Sequence, residues 1–520
     1  MEDIVINKDV VKTASHRELY WGVTLSYLTT FVSLGTSLLL TPIIIRLLGQ
    51  SDYGLYEAIG SFVNYLAVLD LGFGAVVTRY TAQYQQKGDF EARDKFLYTC
   101  RNIYIFLSLL VLLIGIVMYQ FIDSAYSSSF TSVELSRAKL LFVIVLITTV
   151  VSIYGQVYKG VLNGIQLFIW PRIIQLIKTV SSKIVSIFIL YCGSNSVGFT
   201  AVILVFEILA CVFLVYKAHQ VVSFKRNRMP KAQLIEIFAF TGYLFVLAIV
   251  SQIYWQIDKL VLGMVLGTVS VAIYSAALNI ENIIRNVSSS IKDILIPKAT
   301  QISVEQVFAT SLTTDFMIKS GRIILMIYGL MVVGVTILGK KFIYLWLGAD
   351  YLPAVPIMII LGYATLVPTI LLPGEELCKT FNKHGALSII YLFISLLNVI
   401  LTIIMVKSMG IYGAAYSTTI GLILGNVVMS LIYFKRVLNI NAIRLFLGIF
   451  HRILPVFLLV GALGYLIDRF LLAKYTWGSL CLEVLIMTTF FGVLMHFVGF
   501  SESEKQIENR IINPIINKFR

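Results

Sequence analysis

Charge is what this sequence has least of. Asp, Glu, Lys and Arg make up 13% of its 520 residues, while 58% are hydrophobic. A soluble domain carries about 25% charged residues, so a soluble globular protein is excluded. Cysteine is scarce as well. Cys100, Cys192, Cys211, Cys378 and Cys481 are scattered without a CxxC pair, which excludes a disulfide framework and a cysteine metal site. The five histidines, His16, His219, His384, His451 and His496, are equally dispersed. No connection is long enough to be a sizeable extramembrane domain. Residues 1–19 are polar, and the apolar run that starts at Tyr20 has no AxA-like cleavage site. This reads as an uncleaved first span, not a signal peptide.

What is present is a succession of long apolar runs, and each crossing needs about 20 such residues. The expected spans are 21–45, 54–78, 101–122, 139–159, 171–192, 197–217, 236–257, 264–290, 321–345, 353–373, 385–407, 410–434, 450–472 and 478–499. The fold class is thus an all-α integral membrane protein of about fourteen transmembrane helices. The net charge of +14 does not imply nucleic acid, because the basic residues gather in short loops. With the N-terminus on the cytoplasmic side, the inside segments collect most of the 41 Lys and Arg residues, as the positive-inside rule requires. The densest inside loops run from Arg79 to Arg101, with Lys87, Arg93 and Lys95, and from Lys217 to Lys231, with Lys225, Arg226 and Arg228. An even number of spans puts the C-terminus on the same side.

The two halves repeat one another. Laying Leu48-Gly49 over Leu266-Gly267 brings Tyr56 onto Tyr274, Ala58 onto Ala276 and Gln83 onto Gln301. The polar pattern is stronger than the identities. In span two Glu57, Ser61 and Asn64 stand at i, i+4 and i+7 on one helix face. The shifted positions of span eight hold Ser275, Asn279 and Asn282, and the row continues to Asn286 and Ser289. Span five carries Arg172, Gln175, Thr179, Ser182 and Ser186, and span eleven carries Ser388, Tyr391, Ser395, Asn398 and Thr402 at identical spacing. Span one adds Ser26, Thr30, Ser33 and Ser37. Such rows serve either as hydrogen-bonding glue between helices or as walls of a wet lumen, and the pseudo-symmetry favours the lumen.

Charges at or inside spans divide unequally. The first half has Arg46, Arg79, Lys159, Arg172, Lys178 and Lys183 against Glu57, Asp70 and Glu207; the second has Asp258, Lys259, Glu281, Arg285, Lys292 and Asp293. Glu281 and Arg285 form an i, i+4 pair able to neutralise itself. Lys178 and Lys183 have no such local partner, so a cationic cavity is expected on the first-half side. Intramembrane charge is costly and marks working surfaces. Arginine forks and lysines suit phosphate, and Asn, Ser and Thr exchange hydrogen bonds with sugar hydroxyls. The expected cationic lumen is Arg46, Arg172, Lys178, Lys183 and Arg285. Its polar wall is Glu57, Ser61, Asn64, Thr179, Ser275, Asn279, Asn282 and Asn398. Glu57, Asp70 and Asp258 are candidate sites for a coupling Na⁺ or H⁺. No cofactor or resident metal is expected.

The run TPIIIRLLGQSDYGLYEAIGSFVNYLAVLDLGFGAVVTRYTAQY, from Thr41, resembles the first two spans of Wzx-type O-antigen and capsule-unit flippases of the MATE-like superfamily. The later DKLVLGMVLGTVSVAIYSAA, from Asp258 to Ala277, is similar to the start of their second lobe. The resemblance implies two six-helix lobes around a central cavity plus two C-terminal helices. The corresponding segments are residues 1–217, a cytoplasmic linker at 218–235, residues 236–434, helices within 450–500, and a cytoplasmic tail at 501–520. It implies a bacterial plasma-membrane transporter that moves an undecaprenyl-pyrophosphate-linked oligosaccharide to the outer leaflet, with a polysaccharide polymerase and a chain-length regulator as partners. Related lipid II flippases use cavity arginines, and Arg46 sits where that motif places one. A multidrug antiporter of the same bundle needs acidic groups, against which the basic excess argues. A membrane polysaccharide polymerase or acyltransferase would need a long extracytoplasmic loop or a catalytic cluster, and the sequence carries neither.

Overall fold

The computed structural model describes residues 16–70, 72–224, 231–304, 310–381, 383–502 and 504–506; inside helices the side chains of 16–20, 22–23, 231–244, 247, 288–304 and 310–311 are not described. Lys225, Arg226 and Arg228 of the expected linker, the side chains of Ser289, Lys292 and Asp293, and most of the 501–520 tail therefore lie outside the described residues.

The chain forms two compact units, Met1–Ala272 and Ile273–Arg520. In the first, α1 (His16–Asn64) leads through a 3-10 segment (Tyr65–Asp70) into α2 (Phe73–Lys87). Then come α3 (Phe90–Gln120), α4 (Ile122–Tyr126), α5 (Ser132–Gly164), α6 (Ile169–Tyr191), α7 (Ser196–Val221) and α8 (Lys231–Leu266). Helix α9 (Thr268–Val304) begins in the first unit and continues in the second. The second unit holds α10 (Thr310–Trp346), α11 (Ala354–Thr380), α12 (Gly385–Met409) and α13 (Ile411–Leu422). After a π-helical stretch (Ile423–Met429) it closes with α14 (Ser430–Val437), α15 (Ala442–Phe450), α16 (Ile453–Leu466) and α17 (Trp477–Leu494). The expected lobe boundary at 218–235 falls inside the first unit, which also takes in α8.

Among the described residues, twelve helices are long and apolar enough to cross a membrane. The first of them, Thr24–Lys87, contains both spans expected at 21–45 and 54–78. The span expected at 264–290 lies mostly in α9.

The internal repeat is visible in the backbone. Gly49, which interrupts α1, and Gly267, between α8 and α9, both have positive φ, 76° and 84°. These are the two glycines that the sequence repeat superimposes. Gly193 after α6 and Gly410 after α12 also have positive φ, 86° and 63°, although the spacing that aligns the polar rows of those helices leaves them one position out of register. A residue with a Cβ is strained in that region, so each half uses glycine to stop the same helices.

Span two departs from expectation. Rather than one helix over 54–78, the α-helix stops at Asn64, tightens into the 3-10 turn at Tyr65–Asp70, and restarts at Phe73 after Gly72 (φ 64°). Irregular backbone at membrane depth persists only where protein buries it or a cavity receives it.

Helix α5 is the hub of the first unit and packs on α1, α2, α3 and α7. Its start is fixed by a capping box in which Thr131 and Glu134 exchange hydrogen bonds. Its far end approaches α2 so closely that a Cβ on Gly164 would stand 2.5 Å from Thr81 Cβ and 2.8 Å from the Thr78 carbonyl oxygen. Small residues at such crossings let helix backbones meet.

In the second unit, buried cations on α10 hold the C-terminal helices. Near the start of α10, Arg322 donates to both Glu504 oxygens at 2.8 Å and to the Gly448 and Gly499 carbonyls at 3.2 and 2.6 Å. Near its end, Lys341 Nζ meets Glu483 at 2.6 Å, Asp468 at 2.7 Å and the Leu472 carbonyl at 2.7 Å. The two cations stand about 28 Å apart along the helix, close to one hydrocarbon thickness. Burial pushes the Glu504 carboxyl up, but hydrogen bonds from Arg322 and Ser501 outweigh it and hold the group below the usual glutamate range. That clamp is therefore complete at neutral pH and is lost only as pH falls through the depressed value.

Candidate functional site: a polar chamber beside the broken second span

The break in span two opens onto a chamber of about 340 Å³ within the first unit. Asn64, at the end of α1, and Asp70, at the end of the 3-10 turn, face it from one side. Helix α5 contributes Thr149, Ser152 and Gln156, and α7 contributes Thr200 and Glu207. A smaller void of about 40 Å³ adjoins it, sharing Ser152, Gln156 and Glu207 and adding Lys159, Gln175 and Lys178. The wall is mostly hydroxyl, amide and carboxylate, although the helices that carry it are apolar on their outer faces.

Charge concentrates at the junction of the two voids. Lys178 Nζ on α6 lies 2.8 Å from Glu207 Oε2 on α7. Lys159 on α5 is within electrostatic reach of Arg172, Lys178, Asp70 and Glu207. Three cations thus meet two carboxylates, with a positive balance. Arg172, Lys178 and Asp70, picked out separately in the sequence, are brought together here.

Other expected site residues are placed elsewhere. Lys183 donates to Ser37 Oγ of α1 at 2.9 Å, which ties α6 to the span-one row. Arg46 is exposed on α1. Glu57 accepts from Lys259 Nζ of α8 at 3.0 Å, and Asp258 beside it is buried. Ser61 turns back to donate to its own helix at the Ala58 carbonyl, 2.7 Å away. Thr179 accepts from Gln175 at 3.4 Å.

In the second unit, Asn282 accepts from Arg285, and Ser275 is buried with no hydrogen-bond partner for its hydroxyl. Asn279, on the same row, is half-buried. Asn398 on α12 is fully buried with both amide atoms unpartnered. Its row-mates act as glue: Thr402 bonds Ser417 of α13 at 2.8 Å, and Tyr391 bonds Ser430 of α14 at 2.7 Å. The matched rows of α6 and α12 therefore differ in use. The first-half row lines the small void through Gln175 while its Ser186 donates to the Phe199 carbonyl of α7 at 3.4 Å, and the second packs its row shut.

Sequence reasoning missed the α5 wall. Thr149, Ser152, Gln156 and Lys159 stand at i, i+3, i+7 and i+10, the same periodic signal read on the other spans. It escaped notice because this row has no counterpart that the repeat would reveal. Lys159 and Glu207 were noted only as charges, since their interactions with Lys178 join different helices.

Long, apolar, glycine-interrupted helices around an internal polar chamber define a multi-pass helical membrane protein, and its fold is that of lipid flippases and multidrug exporters of the MOP superfamily. A lipid II flippase, MurJ, in an inward closed conformation superposes with a TM-score of 0.71, at 18% identity over 92% of this chain and 98% of that one. An inward-facing MATE-family multidrug transporter gives 0.56, at 17% identity over 79% and 98%. The chain belongs to the polysaccharide biosynthesis protein family, which it matches over residues 20–303. Two bacterial relatives extend the likeness. The "Uncharacterized membrane protein EpsK" of Bacillus subtilis is 21% identical over 423 residues, 79% of this chain and 82% of that protein. The "Putative O-antigen transporter" of Shigella flexneri is 21% identical over 399 residues, 75% and 91%.

Proposed function

We propose that this protein is a transporter of the bacterial plasma membrane that flips an undecaprenyl-pyrophosphate-linked oligosaccharide from the cytoplasmic to the outer leaflet by alternating access, with both termini cytoplasmic. The observation that carries this reading is that Lys159 and Lys178, with Arg172 within electrostatic reach of Lys159, line the small void adjoining a hydroxyl- and amide-lined chamber inside an apolar bundle. The family match and the Shigella relative support the polysaccharide cargo.

The basic cluster meets the pyrophosphate through charge-assisted hydrogen bonds, while Asn64, Thr149, Ser152 and Gln156 solvate the sugars next to it. The lipid tail stays among bilayer lipids. No covalent bond changes. Outward movement of about two negative charges through an inside-negative potential is favoured by about 4–5 kcal/mol per 100 mV. Delivery to the outer leaflet makes a polymerase and a chain-length regulator the natural partners.

Depletion of the protein in its host should cause the lipid-linked oligosaccharide to accumulate on the cytoplasmic face, detectable by extraction and mass spectrometry. Unchanged levels and normal surface glycan would contradict the assignment. One observation favours a second reading, a cation-coupled antiporter: Asp70 and Glu207 both reach the chamber. Drug-dependent Na⁺ or H⁺ flux in proteoliposomes would select it.

A further inference from the structure

A different buried carboxylate sits in the second unit, away from the chamber. Glu281 on α9 is 1% exposed, and neither of its oxygens accepts a hydrogen bond. Three other span glutamates each have a lysine at short range. Glu57 has Lys259 at 3.0 Å, Glu207 has Lys178 at 2.8 Å, and Glu483 has Lys341 at 2.6 Å. For Glu281 the cation is Arg285, one turn along, and its Nη2 lies 3.9 Å from Oε2. That same nitrogen donates to Asn282 Oδ1.

Two groups interact electrostatically with Glu281 among the described residues: Arg285 on its own helix and Tyr328 on α10. Tyr328 cannot serve as its donor in this arrangement. The Thr365 hydroxyl on α11 gives its hydrogen to the Leu361 carbonyl at 2.7 Å, so in the Tyr328–Thr365 hydrogen bond it is Tyr328 that donates. Among the described residues no donor lies within hydrogen-bond distance of the buried carboxyl. An ionised carboxylate is strongly disfavoured there. Two changes relieve it: uptake of a proton, or movement of the Arg285 fork from Asn282 onto the carboxylate.

We propose that Glu281 holds the exchangeable proton of this transporter, and that its protonation decides whether Arg285 is presented on the polar α9 row or withdrawn to neutralise Glu281. Asn282 belongs to the row Ser275, Asn279, Asn282, Asn286, whereas Glu281 lies behind it on the helix. With the carboxyl protonated, Arg285 stays at Asn282 and its charge is available to an anionic head group. When the proton leaves to water, Arg285 pairs with the carboxylate, and an anion bound there loses its counter-charge. This is a two-state element that a proton biases. Only the identity of the anion rests on the flippase reading above; the proton site does not.

The test is infrared difference spectroscopy of the purified full-length protein in nanodiscs, titrated across neutral pH without substrate. A protonated-carboxyl band that disappears with rising pH is expected in the wild type and should be lost in Glu281→Gln. A Glu281→Gln spectrum with the same band as wild type overturns the proposal. Glu281→Asp provides the second reading if the glutamine protein does not fold. Its band should shift, and an unshifted band again overturns the assignment. A titrating Glu281 band in a protein that moves no lipid-linked glycan would support the proton site and remove the substrate reading alone.

Discussion

Lys341→Met is expected to cost about 3–5 kcal/mol of stability, because removing one partner of a buried ion pair strands the other. Here it strands Glu483, while Asp468 is 31% exposed and keeps access to solvent. Glu483 and Lys341 are each 1% exposed at the side chain, and Asp468 completes the cluster from the π-helical turn at Ile467–Leu471. One cation holds the chain before α17 to the end of α10. Heating the purified variant in detergent and following the monodisperse peak by size exclusion should show a large loss of thermal tolerance. A further change to Asp468→Asn and Glu483→Gln in the same protein should restore much of it, since the unpaired charges are then gone. Wild-type melting of Lys341→Met would show that the cluster contributes little.

The second large effect is functional. Lys178→Ala combined with Lys159→Ala should reduce head-group capture by about 10- to 150-fold for each charge-assisted hydrogen bond lost, the equivalent of about 1.5–3 kcal/mol. Lys178 alone is ambiguous, because its removal also leaves Glu207 without its cation at 2.8 Å. Lys178→Ala with Glu207→Gln separates the two causes. It should recover the expression and melting of the wild type while surface glycan remains low in a complementation assay. Normal surface glycan in the Lys159/Lys178 double variant would defeat the assignment of these cations to the cargo.

Most of the architecture was legible in the sequence, for a physical reason. Hydrocarbon thickness sets span length, and backbone hydrogen bonding leaves helices as the solution for apolar runs this long. The repeat was legible too. Gly49 and Gly267 superimpose in sequence and share a positive φ, because a stop in the same helix makes the same steric demand in both halves. Interruptions were harder to read. Nothing in the hydropathy of Tyr65–Asp70 separates a 3-10 turn from the helix it interrupts, yet that turn aims Asp70 at the chamber.

The site was legible in residue type and only partly in placement. Arg172 and Lys178 meet as a cationic group, but their partners Glu207 and Lys159 lie on other helices, and pairing across helices leaves no periodic trace. Periodicity identifies a polar face without saying what the face meets. The rows on α6 and α12 share one spacing, yet Gln175 lines a void while Thr402 is sealed against Ser417. Arg46, singled out by its motif, is exposed on α1.

The most direct measurement places the purified protein in liposomes with a fluorescent undecaprenyl-pyrophosphate oligosaccharide and follows the fraction accessible to a membrane-impermeant quencher. The account predicts that the protein moves label between leaflets, faster under an imposed potential negative on the side from which the lipid departs, and that the Lys159/Lys178 double variant does so far more slowly. Equal leaflet exchange in protein-containing and protein-free vesicles, with the protein folded, would contradict it.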